Sequence, residues 1–126
     1  MRKLTVLMAL VTVAVAIPAV APGKGNPGVI RSGKCSGSAT WKLKAKNDDA
    51  RLEIEFEVDQ NVAGRRWNVV IKRNSTVVLR GARTTAPPSG SFTARRLAAN
   101  PAGSDRITAT ARAAVGGQVC RGALTV

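Results

Sequence analysis

The sequence predicts an all-β fold, an antiparallel β-sandwich of about seven short strands. Three observations predict it. Apolar and polar side chains alternate in Ala39–Ala45, Leu52–Val58, Arg66–Lys72 and Asp105–Arg112, which is the period of a half-buried strand. Turn chemistry separates such runs at intervals of roughly 10–15 residues. The turns are Asn47-Asp48-Asp49-Ala50, Asn74-Ser75, Pro87-Pro88-Ser89-Gly90, Asn100-Pro101-Ala102-Gly103 and Gly116-Gly117. No segment of the folded part sustains a helical period. A small closed barrel is the alternative arrangement of the same strands.

The chain starts with a short basic stretch, Met1 to Lys3, followed by an uncharged, mostly apolar run from Leu4 to Ile17. Pro18 ends the run and the small residues Ala19-Val20-Ala21 follow, the three-part pattern of a secretory signal peptide. The run of 14 residues is short for a bilayer span, so no transmembrane anchor is expected after processing. Cleavage after Ala21 fits the small-residue rule; because Pro22 would follow that cut, Ala16 and Gly23 are alternatives. The expected organisation is a signal peptide over 1–21, a flexible Gly/Pro-rich lead-in over 22–33, and the sandwich domain over 34–126. Loss of Arg2 and Lys3 leaves 18 basic against 7 acidic side chains, a charge of +11.

The first hairpin can be paired on paper. With Lys46 opposite Arg51, the inner pairs are Trp41–Phe56, Leu43–Ile54 and Ala45–Leu52, and the outer pairs are Lys44–Glu53 and Lys42–Glu55. A slip by one residue would turn every apolar side chain of one strand outward. Each cross-strand pair contributes about 0.2–1 kcal/mol. Next, Arg66 to Lys72 places Trp67, Val69 and Ile71 on one side. Val77 to Arg83 returns with an ambiguous register, since Val77, Val78 and Leu79 are consecutive apolar residues. Ser91 to Leu97 turns Phe92 and Ala94 inward, Asp105 to Arg112 does so with Ile107, Ala109 and Ala111, and Gln118 to Val126 closes the fold.

Two cysteines in an exported chain allow one intramolecular pairing, Cys35 with Cys120, enclosing 84 residues. Two free buried thiols are the alternative, and there is no C-x-x-C motif for redox work.

The composition excludes familiar chemistries. With no His and 2 Cys, the chain alone cannot build the common nitrogen and sulfur metal sites, nor a Ser–His or Cys–His catalytic pair. Glu53, Glu55 and Glu57 share one solvent face with Lys neighbours and read as a solvated surface. Ser32-x-Lys34 lies in the lead-in, where no rigid base is held beside a nucleophile. Asp48 and Asp49 are about 30 Å from Asp59 at strand rise, too far to act as a carboxylate pair through that strand. Asp59-Gln60-Asn61 followed by Gly64 lacks the ligand run and closing Glu of a calcium loop. No catalysis, metal or cofactor is expected.

From Cys35 to Gly122 the chain resembles a group of small secreted actinobacterial immunoglobulin-like β-sandwich proteins. The matching pieces are Cys35-Ser36-Gly37, Thr40-Trp41-Lys42-Leu43-Lys44, Glu55-Phe56-Glu57-Val58-Asp59-Gln60-Asn61, Gly64-Arg65-Arg66-Trp67, Pro88-Ser89-Gly90-Ser91-Phe92 and Cys120-Arg121-Gly122. The resemblance implies a secreted immunoglobulin-like sandwich and supplies no activity. Bacterial cellulose- and chitin-binding modules also place Cys near both ends, but they bind sugars with exposed aromatics, whereas Trp41 and Trp67 fall on the inward phase here. The neocarzinostatin-like apoproteins are similar in size and architecture, but they are acidic and carry two disulfides.

The strongest functional signal is charge. No acid occurs between Asp59 and Asp105, while the interval holds Arg65, Arg66, Lys72, Arg73, Arg80, Arg83, Arg95 and Arg96, a local +8. Arg suits bidentate grip on phosphate or carboxylate, and a field of this sign attracts polyanions by counterion release. The expected role is that of a secreted, non-catalytic binding module. Its expected partner is an anionic cell-wall polymer or another extracellular polyanion, such as anionic lipid heads or released DNA, with no sequence-specific reading of nucleic acid. The alternative is a small-ligand carrier or secreted protease inhibitor acting through a cleft or through the loop Thr84–Gly90. The charge also serves solubility.

Overall fold

The alternating segments pair into two antiparallel sheets. A computed structural model of the chain describes residues 28–99 and 103–126; the signal-peptide segment 1–21 and the start of the lead-in lie outside the described residues. The strands are β1 (Val29–Lys34), β2 (Thr40–Asp48), β3 (Arg51–Asp59), β4 (Arg66–Arg73), β5 (Thr76–Thr84), β6 (Ser91–Ala99), β7 (Arg106–Ala113) and β8 (Val119–Thr125). The first sheet has the order β1-β2-β3-β6 and the second β5-β4-β7-β8. The sandwich architecture predicted from sequence is present. Its order differs from the constant-type immunoglobulin order, in which the second strand neighbours the fifth; here β2 neighbours β3.

The inward phases meet between the sheets. Leu43, Ile54 and Phe56 from the first sheet and Trp67, Ile71 and Ile107 from the second are fully buried. The Trp67 ring packs 6.3 Å from Phe92, and its indole N–H donates to Gln60 Oε1 at 2.9 Å, so the one polar atom of a buried ring is satisfied.

Two expectations are corrected and one ambiguity is resolved. The β2–β3 hairpin pairs Asp48 with Arg51, two residues further along than expected, so the inner pairs are Trp41–Val58, Leu43–Phe56 and Ala45–Ile54. Asn47 and Asp48 extend the strand, and the turn shrinks to Asp49 and Ala50, both in the left-handed region at φ 47° and 63°. That is the primed geometry that matches strand twist. A shift of two preserves every facing. Thus the opposed outer pairs become Lys46–Glu53, Lys44–Glu55 and Lys42–Glu57. Trp41 and Phe56 still touch, as diagonal neighbours with centroids 6.4 Å apart.

Second, residues 29–34 form strand β1 instead of part of a flexible lead-in, giving eight strands. Only Val29 and Gly33 are even partly covered, so β1 is held by backbone pairing along β2 more than by side-chain burial. Gly33 is needed there because a Cβ would lie 2.9 Å from the Trp41 ring. Third, the ambiguous run in β5 is resolved by a bulge opposite Ile71 and Lys72. The extra residue lets Val78 and Leu79 both pack against the core, while Val77 stays exposed.

One open side of the sandwich, between β1 and β8, is closed by the disulfide Cys35–Cys120, with Cα atoms 4.3 Å apart. Ser36 and Val119 bond reciprocally there: the Ser36 N–H donates to Val119 O, and the Val119 N–H donates to Ser36 Oγ. The bridge therefore ties the first sheet to the second, as two cysteines at opposite ends of the chain predict.

Candidate anion-binding face

Strand periodicity decides which cations share a face. In β4, burial of Trp67, Val69 and Ile71 turns Arg66, Asn68, Val70 and Lys72 outward. In β7, Ile107, Ala109 and Ala111 face the core, so Arg106, Thr108, Thr110 and Arg112 face solvent. In β8, Cys120 and Leu124 point inward and Arg121 outward. On β5, Arg80 lies opposite Val70 and shares its outward side. Among the described residues, the outer face of the second sheet thus carries six exposed cations, Arg66, Lys72, Arg80, Arg106, Arg112 and Arg121, and no carboxylate. It extends about 14 Å across the four strands and roughly 20 Å from Arg66 to Lys72.

The outer face of the first sheet is different in kind. Lys34, Lys42, Lys44, Lys46, Arg51 and Arg95 are set among Asp48, Glu53, Glu55, Glu57 and Asp59. Lys46 Nζ lies 3.4 Å from Glu53, and Arg95 Nη2 lies 2.7 Å from Glu55. Desolvation raises the Glu53 pKa, but the charges of Lys46 and Arg95 outweigh this and hold it below the ordinary carboxylate value. Six of the seven carboxylates of the chain lie on this sheet or its hairpin turn, and the seventh, Asp105, is buried.

The sequence candidates divide accordingly. Arg66, Lys72 and Arg80 come together on the face. Arg65 stands at its end, in the loop before β4. Arg73 is drawn away, with its Nε 3.8 Å from the buried Asp105 carboxylate. Arg95 neutralises the glutamates of the first sheet. Arg83, opposite Trp67, and Arg96, opposite Ile54, are on the inward phase of the edge strands β5 and β6, at the second open side of the sandwich. Arg106, Arg112 and Arg121 were not among the candidates, because the acid-free interval ends at Asp105. The signal for Arg106 and Arg112 was the parity of β7: both stand on the phase opposite to Ile107, Ala109 and Ala111.

The loop holding Arg65 is clamped by a buried threonine. Thr85 Oγ1 donates to Val62 O at 2.6 Å and accepts the Arg65 N–H at 2.9 Å. Its backbone N–H donates to Arg65 O, and its carbonyl accepts from the Gly64 N–H. Thr85→Val keeps the shape and strands the Val62 carbonyl and the Arg65 N–H; the expected cost is about 1–3 kcal/mol. Urea unfolding measures it, and a change below about 0.5 kcal/mol would mean water replaces the hydroxyl.

Shallow depressions flank these elements. One of about 290 Å³ lies on the face, lined by Arg66, Asn68, Val70, Arg80 and Ala82 among others. Another, of about 300 Å³, sits at the end of the sandwich against Gln60, Val62, Arg65 and Val115. Val62 and Val115 are exposed there. Comparison with protein-family models, with curated proteins and with solved structures finds no match for the chain.

Proposed function

We propose that the protein is an exported, non-catalytic binding module that takes an anionic polymer outside the cytoplasm on the outer face of its second sheet. One observation carries this reading: the outward cations of that sheet stand without a carboxylate, while the other sheet interleaves its cations with acids. Uncompensated cations on a flat face repel one another, and a polyanion relieves that repulsion while releasing its own counterions. A disulfide between the chain's two cysteines is compatible with an oxidising, extracytoplasmic location, and the N-terminal signal pattern supports export. The resemblance to small secreted actinobacterial sandwiches agrees with both.

The test separates the face from the net charge. One variant carries Gln at Arg66, Arg80, Arg112 and Arg121; a second carries Gln at Lys34, Lys42, Lys44 and Lys46. Both lose four positive charges. Binding to poly(glycerol phosphate) and to anionic vesicles is titrated across a salt series. The second-sheet variant is expected to lose at least about 100-fold in affinity near physiological salt, with a shallower salt slope. The first-sheet variant should stay within about threefold of the parent. Equal losses in both would reduce the charge to a generic property and overturn the reading.

A further inference from the structure

We propose that the face holds a linear phosphodiester polymer without bases, a polyol phosphate chain, laid along a diagonal trough between two rails of cations; this rests on the anionic-polymer reading above. The strand registers place the rails. Arg112 lies opposite Asn68, two residues from Arg66, and Arg121 lies opposite Thr110, two residues from Arg112. Arg66, Arg112 and Arg121 therefore form a diagonal across β4, β7 and β8. Likewise Arg80 lies opposite Val70, two residues from Lys72, and Lys72 lies opposite Thr108, two residues from Arg106. Arg80, Lys72 and Arg106 form a second diagonal across β5, β4 and β7, running the same way. Successive cations on each rail are about 7–8 Å apart, the diagonal spacing of neighbouring strands.

The rails stand about 12 Å apart across their common direction, from strand spacing and rise. Between them lie only small uncharged residues, in two further diagonals. One is Thr84, Asn68, Thr110 and Ala123; the other is Ala82, Val70, Thr108 and Thr125. The depression of about 290 Å³ sits in this floor, with Arg66 of one rail and Arg80 of the other on its walls. A single extended chain fits there with cations on both sides and Thr and Asn donors beneath.

Three features select the chemistry. The cation step of about 7–8 Å matches a polymer with one charge per six backbone bonds, about 7 Å at the projected rise of an extended chain. A three-carbon polyol linked by phosphodiesters has that repeat. Five of the six cations are Arg, although the first sheet of the same chain uses Lys at four of six; the planar fork of Arg grips phosphate oxygens in pairs, where Lys offers a point charge. A sugar–phosphate backbone has the same repeat, but among the described residues the outer face presents no aromatic ring on which a base could stack.

The experiment uses the disulfide-bonded chain and calorimetric titration near physiological salt. The probes are a glycerol phosphate hexamer, oligoglutamate of the same charge, and a thymidine oligonucleotide with the same number of phosphates. The glycerol phosphate hexamer is expected to bind at least about 10-fold tighter than oligoglutamate, and the oligonucleotide no tighter than the hexamer. Arg-to-Lys changes at Arg66, Arg80, Arg106, Arg112 and Arg121 keep the charge and should erase that preference. Thr110→Trp fills the trough at constant charge and should weaken hexamer binding at least about 10-fold. Parent-like binding by both variants overturns the trough, and tighter oligonucleotide binding overturns the base-free ligand. Failure of the underlying reading is distinct: all probes would then bind weakly, or the four-Gln variant of the second sheet would bind as the parent does.

Discussion

Replacing Cys35 and Cys120 together with Ala lowers the unfolding free energy by about 4–5 kcal/mol from chain entropy alone. The bridge joins residues separated by 85 in sequence, so opening it frees nearly the whole folded chain in the unfolded state. Domains of this size have only about 5–15 kcal/mol of stability in total, so the loss is a large share of it. Position adds to the effect. Cys120 is fully buried in β8 and Cys35 follows directly on β1, so the bridge fastens an edge strand with little apolar burial to the opposite sheet. The double variant also removes sulfur from the core, and the reduced parent protein controls for this: it keeps both side chains and loses only the link. Guanidinium unfolding of the oxidised parent, the reduced parent and the double variant measures both parts. A reduced parent within about 1 kcal/mol of the oxidised one would show that the unfolded chain is already compact enough for the link not to matter.

Facing was legible in the sequence and register was not, and the hairpin shows why. Side-chain parity depends on a period of two, so Leu43, Ile54 and Phe56 are inward under either pairing. The choice between pairings rests on the turn, where Asp49 and Ala50 adopt left-handed backbone without the glycine that usually announces it. Strand β1 escaped notice for a related reason: Val29, Arg31 and Gly33 carry no apolar alternation, and the strand exists because β2 offers it an edge. The charged face was half legible. The run of sequence without acids includes Arg66, Lys72 and Arg80, which share the face, but it counts charge along the chain, whereas a sheet assembles charge across strands. Arg73 and Arg95 belong to that interval and pair with carboxylates distant in sequence, Asp105 before β7 and Glu55 in β3, while Arg106, Arg112 and Arg121 lie beyond it and join the face.

Gly90→Ala is expected to cost about 2–4 kcal/mol, and Gly64→Ala about 1 kcal/mol. The two glycines lie in neighbouring loops and share the left-handed backbone, with φ of 71° and 81°. An L side chain pays a similar conformational cost at either position, so the difference between the variants isolates sterics. At Gly64 a Cβ would meet nothing within 4 Å; at Gly90 it would lie 2.2 Å from the Val62 backbone nitrogen and 2.6 Å from the Asn61 carbonyl carbon. These are main-chain atoms and cannot rotate aside. The loop must move as a body, breaking the bond from the Gln60 N–H to Gly90 O and straining the Thr85 clamp that holds Arg65. Unfolding curves for the two variants give the comparison directly. Equal, small losses would mean that the two loops separate freely, and that the Arg65 end of the cationic face is not held in a fixed position.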